Sequence, residues 1–249
     1  MELSKERKHL KEVRQLVVAY LASIVEPVNN YHLALKKLAE GISRADQEDF
    51  VYEESSARPD FLISIPQVDL FKVFLLGSRD EKDARIAVFN SLQGTLDFLN
   101  RQNLVSKLEF SDFVAKFNRY VETFRTQTNQ ILRYHDTFLQ TARSIGAPAS
   151  SDPFLKEFNR LVHELAQSNR TDDIPFTLTL FIEPIRELCR TYSSDQRTVV
   201  LSPYLVEAST AARNRQNLIA LYSRYFADES EKLVSKVESI KNAHALLSK

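Results

Sequence analysis

The chain has 249 residues, 43% of them hydrophobic and 27% charged, enough apolar material for a sizeable core and too much for an intrinsically disordered chain. Thirty-three basic residues balance thirty-three acidic ones, so no global field draws it to nucleic acid or to an anionic membrane. Four glycines and a single cysteine, Cys189, exclude a glycine-rich phosphate loop, a nucleophile elbow and an internal disulfide.

The opening residues, Met1 to His9, are charged and helical in character, with no signal-peptide core behind them. The longest apolar runs, such as Leu16 to Leu21, fall far short of the roughly 20 residues that span a bilayer. Both features predict a soluble, cytoplasmic protein without a transmembrane segment.

From about Ser4 to Ala45, Leu10, Val13, Val17, Tyr20, Ile24, Val28, Tyr31, Leu35, Leu38 and Ile42 recur three or four apart, the stripe of one long helix. Pro27 falls inside it. Proline removes a backbone donor and crowds the Ser23 carbonyl, and the stripe resumes in phase beyond it, so a bend is expected and not a stop. Residues 46 to 66 read as an irregular acidic connection with Phe61 to Ile65 extended. Gln67 to Leu76 predicts a short helix ended at Gly77, and Ser78 or Asp80 suits the cap of the next. That helix carries Ile86, Phe89, Leu92, Leu96 and Leu99, with Gly94 marking a close crossing.

A break is expected near Glu109. Ser111 or Asp112 then caps a helix bearing Phe113, Phe117, Tyr120, Phe124, Ile131, Tyr134, Phe138 and Ile145, stopped by Gly146 and Pro148. Ser151-Asp152-Pro153 restarts a helix whose buried face is Phe154, Phe158, Leu161, Val162 and Leu165. Pro175 opens another, through about Tyr192. Thr198 to Leu201 suits a short strand, and Ser202-Pro203 opens the last helix, with Leu205, Ala208, Ala212, Ile219, Tyr222, Phe226, Leu233, Val237, Ile240 and Leu247 on its stripe. At 1.5 Å per residue that helix is roughly 67 Å long.

These elements predict an all-α fold: an elongated, mainly antiparallel bundle of six or seven helices, three of them very long, forming one domain over residues 1–249, with coiled-coil-like spacing in places.

Chemistry is harder to find. Glu6-x-x-His9 has the spacing of a di-metal carboxylate ligand pair but occurs once, so it reads as a solvated face. His163-Glu164 lacks the second histidine of a zinc protease. Arg213-Asn214-Arg215 lacks the histidine of a helical ribonuclease, and His135 and Cys189 read as core residues. No cofactor and no metal is expected. Two features remain as candidate sites. Ile24-Val25-Glu26-Pro27-Val28 echoes Phe181-Ile182-Glu183-Pro184-Ile185, placing Glu26, Pro27, Glu183 and Pro184 at helix kinks, where the Ser23 and Leu180 carbonyls need new partners. Lys5, Arg7, Lys8 and Lys11 form a basic surface, and Lys232, Lys236, Lys241 and Lys249 populate the last helix, with glutamates interleaved.

Long rigid helices without chemistry point to a non-enzymatic scaffold that binds a protein partner or a second copy of itself. The alternatives are a nucleic-acid-binding protein or helical nuclease using the basic clusters, and a bundle lying on a membrane.

Overall fold

The computed structural model describes residues 2–45, 50–76, 81–146 and 151–249, and among them there is no strand. The helices are α1 (Glu2–Arg44), α2 (Asp60–Ser64), α3 (Gln67–Leu75), α4 (Lys82–Ser144), α5 (Pro153–Ser168), α6 (Ile174–Thr177), α7 (Glu183–Thr191) and α8 (Gln196–Ser248). A π-helical turn, Leu178–Ile182, joins α6 to α7 as one helical stretch. The all-α expectation with three very long helices holds, at 43, 63 and 53 residues for α1, α4 and α8. Gly77, Ser78, Asp80 and Pro148, expected at helix ends, lie outside the described residues.

Contacts divide the chain into two compact units, Met1–Asp112 with Ile219–Lys249, and Phe113–Leu218. In the first, α8 runs antiparallel to α1, held where His32 Nδ1 meets the Ser230 carbonyl at 2.9 Å and where Arg14 Nε donates to the Leu247 carbonyl at 2.6 Å. It is also antiparallel to α4, through Ser91 to Ser239 at 3.0 Å and Lys236 over the Phe98 ring. α1 runs unbroken through Pro27, as its continuous stripe requires. Arg85 of α4 is buried and gives Nη1 to the Phe74 and Leu76 carbonyls, closing the C-terminus of α3 where a cation suits the helix dipole. The connection Phe50–Pro59 is strapped to α4: Tyr52 donates to the Asn103 carbonyl and Oδ1, and the Ser55 amide donates to the same Oδ1. Tyr52 has one proton to give, so Tyr31 donates to Tyr52 at 3.0 Å.

In the second unit, the later part of α4 packs antiparallel to the start of α8, with Tyr134 on Tyr204 and Arg215 over the Phe117 ring. Phe113, Phe117, Phe124, Phe154, Phe158 and Phe181 are fully buried there. Asp152 caps α5 by accepting from the Leu155 amide, with Pro153 in the first turn as expected. Asp195 takes the same part for α8, accepting from the Arg197 amide through its carboxylate and from the Thr198 amide through its carbonyl.

Several local expectations are corrected. No break occurs near Glu109: α4 is continuous because its buried stripe passes through Gln102 and Ser106, which bond each other at 2.9 Å, and no glycine or proline intervenes. Phe61 to Ile65 is mostly the single turn α2 and not extended, since one turn between Pro59 and Pro66 buries Leu62 without a neighbouring strand to pair with. Thr198 to Leu201 is helical, and α8 begins at Gln196, six residues before Ser202, because Asp195 supplies the cap; Pro203 sits inside the helix. Gly94 marks no close crossing, for a Cβ added there meets nothing within 4 Å. Val162 is only half-buried, and Ile145 is exposed just past the end of α4.

Candidate functional site

The element that shapes the molecule's grooves is α7. Asp173 accepts from the Phe176 amide and starts the stretch, with Pro175 in its first turn. Pro184 then arrives ten residues on. A normal helix would leave the Leu180 carbonyl waiting for the proline's missing donor. The π turn instead pairs residues five apart, as the Glu183 amide does with the Leu178 carbonyl, and this relieves the position before proline. Phe181, Ile182, Ile185 and Leu188 go inward, which leaves Arg186 and Arg190 facing α8.

Between α7 and the start of α8 lies a groove of about 380 Å³ lined by Arg186, Cys189, Arg190, Ser202, Leu205 and Val206. It opens onto a shallow depression of about 650 Å³ over Val199, Pro203, Val206, Glu207 and Thr210. Val199 is 70% exposed and Val206 56%, so one helix presents valine to solvent at two points two turns apart. Because Pro203 has no amide hydrogen, the carbonyl of Val199, four residues back, lacks its usual donor. Arg186 Nη1 approaches Ser209 Oγ at 3.4 Å, and Arg190 pairs with Glu187 at 2.9 Å. Burial, helped by the Asp195 charge, pushes the Cys189 thiol up to about 11, so at neutral pH it is a thiol and no nucleophile. The groove can hold apolar side chains and give hydrogen bonds from its arginines; it offers no activated group.

On the other side of α7, a second groove of about 650 Å³ is lined by Pro153, Lys156, Pro184, Leu188 and Tyr192. This is where the structure places one of the two Glu-Pro segments. Glu26 and Glu183 are both exposed, Pro27 and Pro184 are both half-buried, and the two segments belong to different units. Their backbones also differ, since Pro27 lies in regular helix, where Ser23 is exposed and its carbonyl is open to water. The grooves themselves had no sequence signal beyond the mismatch of Val199, Val200 and Val206 with the inward stripe of α8.

Lys5, Arg7, Lys8 and Lys11 are all exposed on the first turns of α1, above the buried Leu10. Glu6 turns away from them to Lys72 of α3 at 2.7 Å, which holds its carboxyl below the usual range, and His9 lies 3.9 Å from Asp69. The Glu6-x-x-His9 pair is thus engaged with α3, and among the described residues no three His, Cys, Asp or Glu side chains converge as metal ligands. Lys232 and Lys241 pair with Glu229 and Glu238 on their own helix. No helix among the described residues is long and apolar enough to cross a membrane.

His135 is buried edge-on against Phe158, its Nε2 without a partner, and Arg215 is stacked on Phe117, with burial holding its guanidinium below its usual pKa. Comparison with known proteins gives no match to a family model, a curated protein or a solved structure.

Proposed function

We propose that the protein is a non-enzymatic interaction scaffold, and that the face of α8 from Val199 to Thr210, with its groove against α7, receives an apolar helix of a partner protein. The observation that carries this reading is the pair of exposed valines seven residues apart on a face that no other helix covers among the described residues. Spacing of this kind admits a partner helix through contacts three, four and seven residues apart. The Arg186 guanidinium at the rim supplies hydrogen bonds that fix its register.

Burying two valines is worth on the order of 3 kcal/mol, about a hundredfold in affinity. Val199→Asp combined with Val206→Asp is therefore expected to abolish co-purification of a partner by the tagged full-length chain, while leaving the fold intact because both sites are exposed. Sedimentation velocity of the purified chain tells a second copy from a different protein as the occupant. Hydrolysis of nucleotides, RNA or esters by the purified protein, at a rate abolished by one substitution, would overturn the scaffold reading.

A further inference from the structure

We infer that the outer face of α1, with the exposed apolar residues of α2 and α3 beside it, is a docking surface for an anionic lipid bilayer. This goes beyond a protein scaffold and uses none of the α7–α8 groove.

Balanced composition hides a local imbalance. Lys5, Arg7, Lys8 and Lys11 stand exposed within two turns of one helix, and none of them carries an ion pair among the described residues. Of the acids interleaved among them, Glu6 is taken by Lys72 of α3, while the exposed Glu12 beside Lys11 offsets part of the patch and leaves it cationic. Arg14 anchors the last turn of α8 to α1 through the Leu247 carbonyl, and this brings the exposed Lys249 to the same end. Charges placed this close act together within a Debye length of about 10 Å at ordinary salt.

The apolar half of the surface adjoins it. Leu16, on the next turns of α1, is 57% exposed. One turn further, the Tyr20 ring packs on Phe61 of α2 at 4.9 Å, and Phe61 and Ile63 both reach solvent. On α3, Val68 is 64% exposed next to Asp69, which faces His9 of α1. Three lysines and an arginine beside uncovered leucine, isoleucine and valine combine the two forces of interfacial binding: lysine attraction to anionic headgroups and insertion of aliphatic side chains at the acyl boundary. A nucleic acid would use the cations but gain nothing from the aliphatic residues, since it binds through phosphate contacts and aromatic stacking. The apolar half is what favours the bilayer.

The test is sedimentation of the full chain with vesicles of phosphatidylcholine alone and of phosphatidylcholine containing about one-third phosphatidylserine. Binding is expected only to the second, falling steeply as salt rises. Lys5→Glu, Arg7→Glu, Lys8→Glu and Lys11→Glu together should weaken it about tenfold or more, with a thermal melt that still shows a cooperative fold, because all four side chains are exposed. Leu16→Ser with Val68→Ser should weaken it severalfold and leave a more salt-sensitive remainder. Val206→Asp should leave vesicle binding unchanged, which separates this surface from the groove. Absence of pelleting with the anionic vesicles at low salt overturns the proposal. So does binding untouched by either variant, or binding of a single-stranded RNA that the charge reversal abolishes while vesicles stay in the supernatant.

Discussion

Apart from Arg85, whose Nε is buried without a partner, the two halves of α4 bury polar side chains in opposite ways. In the first half, Thr95 donates to the Ser91 carbonyl, Gln102 donates to Ser106, and Asn103 Oδ1 accepts from both Tyr52 and the Ser55 amide. In the second half, Gln127 Oε1, Thr128 Oγ1 and His135 Nε2 are buried with no partner. The first set fixes position: Asn103 sets where the Phe50–Pro59 connection crosses the helix, and the tyrosines show how closed that region is. Burial raises the Tyr52 hydroxyl far above its usual pKa, and burial with the Glu229 and Glu109 charges takes Tyr225 to about 12. The second half packs among the six buried phenylalanines of its unit and tolerates polar atoms that stabilise nothing. Polar burial specifies structure where it is satisfied and costs stability where it is not.

The largest expected effect follows from removing the hub of the satisfied half. Asn103→Ala strips the Oδ1 acceptor from the Ser55 amide and one of two acceptors from Tyr52, which keeps only the residue 103 carbonyl. A loss of about 2–3 kcal/mol is expected, read as a lowered urea midpoint. A midpoint within experimental error of wild type would show that the connection is not held through this residue.

The second unit's one strong polar device is Arg197, which forks onto Asp195, reaches Asp152 at 2.6 Å and lies over the Phe154 ring, tying together the caps of α5 and α8. Arg197→Ala should cost about 1–2 kcal/mol, less than a buried network because the three side chains are a quarter to a third exposed and solvent screens them. The same clamp, through the guanidinium first, holds both aspartate carboxyls below their usual range. A carboxyl depressed in the folded state contributes stability that is fully present above its unfolded pKa of about 4 and is lost as pH falls through its folded value. Wild type should therefore lose stability below about pH 4, and the variant should lose less over that range. Parallel acid titrations of the two would sink this account of the clamp.

How far the sequence was legible follows the same division. Where apolar period and cap chemistry agree, the reading is right: α1 through Pro27, Asp152-Pro153 opening α5, and the whole α8 stripe from Leu205 to Leu247. It fails where a polar residue carries the core, as at Gln102 and Ser106, because an apolar stripe cannot register them. It also fails at Ser202-Pro203, where proline imitates a helix start though Asp195 had already capped one. The exposure of Lys5, Arg7, Lys8 and Lys11 could be read from charge alone. That Glu6 is withdrawn from them by Lys72, and that Val199 and Val206 go uncovered beside α7, depends on tertiary packing that no local pattern encodes.

The unsatisfied half of α4 predicts a gain. Thr128→Val keeps the volume and removes a buried hydroxyl with no partner, so it should stabilise by about 1 kcal/mol. A destabilised variant would mean that the hydroxyl has a partner in solution, and the contrast between the halves would weaken.

The smallest effects come from two glycines, one in each half's territory, where the same substitution should act with opposite sign. Gly94 is helical and exposed, and a Cβ there meets open space. Gly94→Ala removes only the entropic cost of glycine in a helix, so it should stabilise by about 0.5–1 kcal/mol. Gly146 has φ 68°, and its amide donates to the Arg143 carbonyl to end the helix. A Cβ there finds space as well, but the left-handed backbone disfavours it by about 1 kcal/mol, so Gly146→Ala should destabilise. Matched urea melts decide between backbone and packing. Two shifts of the same sign would show that these positions respond to helix propensity alone, and that the α4 terminus is not held by its left-handed turn.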